Sequence, residues 1–175
     1  RNGRFPPRYV LIVLGLFFLA FAMDSLNSLA ASLGKVWNIY QTTNLTRLAT
    51  GMGAGIVIGA VLAPLFNQTV WANWGHESAL SNGKTMVLLL AASALIVLGV
   101  YVGPSWLRYL AAILSILGVL LVLIIAYSTL AVFLLKRENQ AQSWKQLCLP
   151  LLMGALATTL QIGIFHFLRF YLFPA

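Results

Sequence analysis

The chain has 175 residues, 61% of them hydrophobic and 8% charged, whereas soluble domains carry about 25% charged residues. Its net charge is +8, but the basic residues lie in short segments between long apolar runs. Basic residues in such positions set membrane topology and contact lipid headgroups. We therefore predict no nucleic-acid partner. The apolar runs reach the roughly 20 residues that a helix needs to cross a bilayer. The sequence predicts an all-α integral membrane protein with the lipid bilayer as its main partner.

Hydropathy predicts a bundle of five transmembrane helices in a single domain covering residues 1–175. The predicted spans are residues 9–29, 45–66, 85–102, 106–135 and 147–173. The third and fourth spans form an antiparallel hairpin, because only Gly103, Pro104 and Ser105 separate them. The fourth span is longer than a bilayer requires, so we expect it to tilt or to project beyond the membrane.

The first span ends in a polar stretch. Asp24, Asn27 and Ser28 follow i, i+3, i+4 spacing and therefore share one helical face. A carboxylate inside an apolar run is costly, so Asp24 needs either a partner or a function. The second span begins beside the end of the first, with Arg47 near its start. We therefore predict that Asp24 and Arg47 are direct or near-direct partners, with Arg169 and His166 as the rival partners.

The loop before the second span contains Trp37 and Tyr40, two residue types that suit the headgroup level of a membrane. Thr43 or Asn44 can cap the helix that follows.

The second span itself contains a stripe of small residues. Gly51, Gly55 and Gly59 are four residues apart, a spacing that lets another helix approach closely. This glycine stripe predicts helix packing, and we do not interpret it as an ion path or a phosphate loop.

The distribution of Lys and Arg predicts the orientation. With five spans, one side carries seven basic residues and the other carries four, and the positive-inside bias places the richer side in the cytoplasm. The richer side contains the N-terminus, so we expect a cytoplasmic N-terminus. The seven are Arg1, Arg4, Arg8, Lys84, Lys136, Arg137 and Lys145, and the four are Lys35, Arg47, Arg108 and Arg169.

This orientation places several polar residues of different spans in the non-cytoplasmic half of the bilayer. One interpretation is an outward-facing polar site for an ion, a proton or a headgroup. The other is a hydrogen-bonded clamp between the first two helices. The predicted polar cluster contains Asp24, Asn27, Ser28, Asn44, Arg47, His166 and Arg169.

Few residues are available for catalysis or for a cofactor. The three acidic residues Asp24, Glu77 and Glu138 lie far apart in the predicted topology, which argues against paired-carboxylate chemistry. The single cysteine, Cys148, gives no disulfide and no cysteine metal motif. We predict no catalytic residues, no metal and no cofactor, with His166 as a weak candidate ligand for a haem or a chlorophyll.

Two short patterns resemble a known family. The sequence reads Asp-x-x-Asn-Ser at residues 24–28 and Asn-x-x-Arg-x-x-Thr-Gly at residues 44–51, followed by Pro-Leu-Phe-Asn at residues 64–67. Residues 4–71 thereby resemble the C-terminal part of an uncharacterised bacterial membrane-protein family, domain of unknown function 2085. The resemblance implies that Asp24, Asn27, Asn44, Arg47 and Gly51 form one unit. It also implies an upstream segment with a cysteine motif, and it implies no activity.

The sequence favours a non-enzymatic accessory or scaffold subunit of a larger membrane complex, in a bacterial cytoplasmic membrane or another energy-transducing membrane. The first alternative is a small transporter or permease that uses Asp24 and Arg47. A weaker alternative is an enzyme that acts on lipid headgroups. The sequence lacks the internal repeat and the pair of broken helices that are typical of many transporters.

Overall fold

The computed structural model describes residues 2–32 and 40–172. Within these residues the chain forms five helices and no β-strand, and all five are long and apolar enough to cross a membrane. The prediction of an all-α protein with five spans is confirmed. The helices are α1 (Arg8–Ser32), α2 (Asn44–Val70), α3 (Gly83–Val102), α4 (Ser105–Leu134) and α5 (Cys148–Leu172), with a 3₁₀ turn at Trp144–Leu147 before α5.

The contacts of the chain fall into two compact units. Unit A contains residues 5–32, 40–61 and 77–113, and unit B contains residues 2–4, 62–76 and 114–172. Unit A therefore holds α1, α3 and the first parts of α2 and α4. Unit B holds the later parts of α2 and α4 together with α5.

The core of unit A lies between the start of α1 and the middle of α2. Val10 and Leu14 of α1 are almost completely buried, and Val57 of α2 packs against the same cluster. Further along, a Cβ atom at Gly53 would meet the side chain of Phe17 at 3.4 Å, an ordinary van der Waals contact. The small residue lets α1 and α2 approach at this level.

The connection between α3 and α4 is as short as predicted, with two residues between the helices. The Gly103 amide donates to the Gly99 carbonyl at 2.8 Å. A Cβ atom at Gly103 would collide with that carbonyl oxygen and with the side chain of Leu107. Glycine is therefore required at this turn.

In unit B, the end of α2 packs against the connection between α4 and α5. Trp71 is 1% exposed, lies in one cluster with Val70 and Val132, and makes an edge-to-face contact with Trp144 at 4.9 Å between ring centroids. The prediction ended this span at residue 66, before two polar residues. The helix continues to Val70 because Asn67 and Gln68 donate to backbone carbonyls of the N-terminal segment.

Helices α4 and α5 approach closely at Gly154, which is buried. A Cβ atom there would meet the Ile124 carbonyl oxygen at 2.5 Å and the Ser128 amide nitrogen at 2.9 Å, as well as the Ser128 hydroxyl. The hydroxyls of Ser128 and Thr158 donate to carbonyls four residues earlier in their own helices. Both helices can therefore bury these polar groups without an unsatisfied donor.

Candidate functional site

The candidate site lies in unit A, where α1 ends and α2 begins. Asp24 is in α1 and is 4% exposed. Its Oδ1 accepts a hydrogen bond from the Tyr40 hydroxyl at 2.6 Å. Its Oδ2 lies 3.2 Å from the hydroxyl of Thr50 in α2, which also lies 2.8 Å from the Thr46 carbonyl. Since one hydroxyl has one proton to donate, Tyr40 is the stronger partner of the carboxylate.

Asn27 extends this hydrogen-bonded cluster by one helical turn. It shares the buried face of Asp24, as the i, i+3 spacing predicted, and is 5% exposed. Its amide nitrogen donates to the Tyr40 carbonyl at 2.7 Å and lies 3.3 Å from the Thr42 hydroxyl. Asp24 and Asn27 thus hold the side chain and the backbone of Tyr40 against α1.

Tyr40 lies outside the transmembrane helices, and its surroundings change the pKa of its hydroxyl. The hydrogen bond to Asp24, desolvation and the negative charge of the carboxylate together raise the pKa of Tyr40 above its ordinary value of about 10. The phenol therefore stays protonated and remains a donor well above neutral pH. Trp37, predicted alongside Tyr40 at the headgroup level, lies outside the described residues.

Arg47 lies beside the carboxylate but does not form an ion pair with it. Its Nη2 donates to the Ser28 hydroxyl at 2.7 Å, and within the described part of the chain no ion pair joins Arg47 to Asp24. The Tyr40 and Thr50 hydroxyls occupy the carboxylate in place of a direct Asp24–Arg47 pair, and a near-direct partnership of the two residues stays a prediction. Both residues nevertheless line one open cavity of about 320 Å³. Its lining residues are Phe21, Asp24, Ser25, Ser28, Arg47 and Thr50.

Asn44 is not part of the hydrogen-bonded cluster. It is the first residue of α2, and its side chain is exposed. The cap of α2 is Thr43, whose hydroxyl accepts from the Thr46 amide at 3.2 Å while the Thr46 hydroxyl accepts from the Thr43 amide at 3.0 Å. This reciprocal arrangement satisfies helix-end donors in the manner of a capping box, which decides between the two predicted caps.

His166 and Arg169 lie on α5, in unit B, and both are exposed. Among the residues that the structure describes, no hydrogen bond or ion pair involves either side chain. Their predicted membership of the polar cluster therefore finds no support in contacts of this chain.

The glycine stripe on α2 lies outside the contacts between the described helices. Gly51, Gly55 and Gly59 are exposed, and a Cβ atom at any of them would meet open space. Gly53, on the opposite face of the helix, and Ala54 are buried instead. Within the described residues the stripe therefore packs against no helix of this chain, and its packing against another helix stays a prediction.

Sequence reasoning missed Tyr40 and Thr50 as members of the cluster. Thr50 follows Arg47 by three residues and so shares its face, a signal that could have identified it. Tyr40 was assigned to the headgroup level because aromatic residues are common there. Nothing in the local pattern shows that its hydroxyl reaches Asp24.

Over residues 2–32 and 40–172, no group of three or more His, Cys, Asp or Glu side chains could hold a metal ion. Every buried side-chain nitrogen and oxygen there has a hydrogen-bond partner. The fold and the site define a multi-pass α-helical membrane protein with a polar cavity between its first two helices.

No protein family, curated protein or solved structure matches the chain. The resemblance to the uncharacterised bacterial family remains a prediction.

Proposed function

We propose that this protein is a non-enzymatic subunit or scaffold of a larger membrane complex, and that the glycine stripe of α2 receives a transmembrane helix of a partner subunit. The observation that carries this proposal is the stripe itself. Gly51, Gly55 and Gly59 are exposed and face open space, while α2 packs within unit A through its other faces.

The physics of helix packing in lipid supports this assignment. Lipid tails are as apolar as a leucine side chain, so transmembrane helices associate through close packing and hydrogen bonds. The stripe runs for eight residues, about 12 Å along the helix axis, and offers backbone contact along that length. The buried polar atoms of the cluster at Asp24 have hydrogen-bond partners within this chain. The cluster can therefore hold the start of α2 in position against α1.

A pair of matched glycine substitutions tests the proposal. Gly55→Leu fills the stripe, whereas Gly118→Leu adds the same volume to α4, at a glycine that also faces open space. A Cβ atom at either position meets no atom of this chain within 4 Å, so we expect both variants to fold. Purification from native membranes should recover a stoichiometric partner with the parent and with Gly118→Leu, and lose it with Gly55→Leu. Retention of the partner by Gly55→Leu would refute the proposal.

The second candidate is a small transporter or permease that uses the cavity beside Asp24 and Arg47. Arg47 supports it, because its guanidinium has no carboxylate partner among the described residues and lines an open cavity. Such a protein should be stabilised by its substrate after purification, and Arg47→Gln should abolish that stabilisation. No observation favours the enzyme alternative.

We further propose that the protein resides in a bacterial cytoplasmic membrane with its N-terminus in the cytoplasm. The seven-to-four distribution of basic residues supports this orientation. Accessibility labelling of cysteines introduced at Gln41 and Asn139 tests it, since the two positions should label from opposite sides. Labelling from the same side would overturn the five-span topology.

A further inference from the structure

A second polar cavity lies in unit B, apart from the candidate site at Asp24. It has a volume of about 260 Å³. The cavity lies at the ends of three candidate membrane-spanning helices, because it is lined by Val70 at the end of α2, by residues near the end of α4 and by the first turn of α5. Its polar lining consists of Arg137, Gln140 and Gln146, and its apolar lining includes Val132, Leu147 and Pro150.

The backbone around this cavity is held in place by several hydrogen bonds. Helix α4 ends with the Lys136 amide donating to Phe133 and the Arg137 amide donating to Val132, the pattern of a Schellman cap. Lys136 adopts a φ of 53° in this cap. The Ala141 amide then donates to the Val70 carbonyl at 3.1 Å. The segment that carries Arg137 is therefore fixed to the ends of two helices before any ligand binds.

The donors of the cavity are available to a ligand. Within the described residues, no hydrogen bond or ion pair engages the Arg137 guanidinium, which offers five N–H donors in a planar fork. Gln146 accepts from the Gln142 amide through Oε1 at 2.7 Å, which leaves its amide nitrogen free to donate into the cavity. The first turn of α5 adds the positive end of a helix dipole. Together these groups favour an anion with several acceptor oxygens.

The surroundings indicate a lipid as the source of that anion. The connection between α4 and α5 carries Lys136, Arg137 and Lys145 against one acidic residue, Glu138, so its charge favours anionic headgroups over zwitterionic ones. Trp144 is 64% exposed beside the cavity segment, as is common for Trp at the membrane–water boundary. The volume is below the roughly 300–1,000 Å³ of ordinary small-molecule pockets, and suits a headgroup whose acyl chains remain outside.

We propose that this cavity binds the phosphate of an anionic phospholipid. Arg137 holds the phosphate oxygens through two N–H groups, and Gln140 and Gln146 donate to the remaining oxygens. The apolar lining contacts the glycerol and the first carbons of the acyl chains. The bound lipid thereby fills the space between the ends of α4 and α5.

The test uses purified protein in detergent and native mass spectrometry. Dioleoyl phosphatidylglycerol and dioleoyl phosphatidylcholine have the same acyl chains and differ in headgroup charge, so their affinities isolate the contribution of the anionic headgroup. Both lipids carry the phosphate that Arg137 contacts, but the quaternary ammonium of choline is repelled by Lys136, Arg137 and Lys145. Phosphatidylglycerol should therefore bind at least about tenfold more tightly. Glycerol 1-phosphate and inorganic phosphate, which lack acyl chains, test whether a soluble anion is the occupant instead.

Three variants locate the site. Arg137→Gln should weaken phosphatidylglycerol binding by about thirtyfold or more. Lys136→Asn removes the same charge one residue away, does not line the cavity and keeps a residue that tolerates positive φ. It should cost no more than the roughly fivefold expected for one surface charge. Gln146→Glu keeps the acceptor for the Gln142 amide but replaces the donor with a carboxylate, and should also weaken binding.

Each other outcome overturns the proposal. Equal losses in Arg137→Gln and Lys136→Asn would mean diffuse attraction to a basic surface and no defined site. Equal binding of the two phospholipids would remove the requirement for an anionic headgroup. Displacement of phosphatidylglycerol by equimolar glycerol 1-phosphate or inorganic phosphate would assign the cavity to a soluble anion.

Discussion

The close approach of α4 and α5 at Gly154 makes a quantitative prediction. Gly154→Ala adds a single Cβ atom, which would lie 2.5 Å from the Ile124 carbonyl oxygen and 2.9 Å from the Ser128 amide nitrogen. Both are backbone atoms, so rotation of a side chain cannot relieve the contact and the two helices must separate. Overpacking of this kind costs about 1–3 kcal/mol. We expect Gly154→Ala to lower the thermal stability of the purified protein.

The matched control lies nine residues along the same helix. A Cβ atom at Gly163 would meet open space, and alanine is favoured over glycine in a helix interior by up to about 1 kcal/mol. Gly163→Ala should therefore leave the melting temperature unchanged or raise it, while Gly154→Ala lowers it. Equal melting temperatures for the two variants would refute the close approach of α4 and α5.

A second substitution separates backbone from side-chain crowding. Ser128→Ala removes the hydroxyl that also lies against the added Cβ atom, but it leaves the Ile124 carbonyl and the Ser128 amide in place. Ser128→Ala should therefore recover only part of the stability lost in Gly154→Ala. Complete recovery would show that the hydroxyl alone limits the contact, contrary to this reasoning.

Three further predictions concern the other contacts. Because the pKa of Tyr40 is raised, its hydrogen bond to Asp24 should stabilise the protein below about pH 10, and this stabilisation should be lost as the pH rises through the raised pKa. The melting temperatures of the parent and of Tyr40→Phe should therefore become equal above that pH, and a difference that does not change with pH would contradict this. The effects of Asp24→Asn and Tyr40→Phe on the melting temperature should be non-additive. The effects of Asp24→Asn and Arg47→Gln should be closer to additive, because Arg47 donates to Ser28. Strong coupling of Asp24 with Arg47 alone would instead indicate an ion pair between them. Trp71→Ala should destabilise unit B by about 3–5 kcal/mol, while Trp106→Ala, at a side chain 64% exposed, should change unfolding little.

The spans were predictable because their signal is local. A run of about 20 apolar residues marks a transmembrane helix whatever its neighbours are, and the turn at Gly103 and Pro104 is apparent from its composition. The spacing of Asp24 and Asn27 likewise fixes their common face. These features depend on residues within one helix or one turn, which is why the sequence determines them.

The partners of those residues were not predictable, because they depend on which helix faces meet. A small-residue stripe indicates that a face can be approached closely, but it does not identify the helix that approaches. The structure uses Gly53 and Gly154 for contacts within the chain and leaves Gly55 exposed. The partner of Asp24 was missed for a similar reason, since Tyr40 reaches the carboxylate from the loop before α2.

The contact between α4 and α5 and the contact between α1 and α2 are stabilised by different means, and the difference bears on what α2 can do. Helices α4 and α5 rely on a small residue and on hydroxyls bonded to their own helices, so this contact is determined by shape. At the contact between α1 and α2, the Asp24 carboxylate accepts from the Tyr40 hydroxyl of the preceding loop and lies 3.2 Å from the Thr50 hydroxyl of α2. The Thr50 contact favours one rotation of α2 about its axis, because a rotated helix would move Thr50 away from the buried carboxylate. Fixing that rotation also fixes the direction in which the glycine stripe faces, as a binding surface for a partner helix requires.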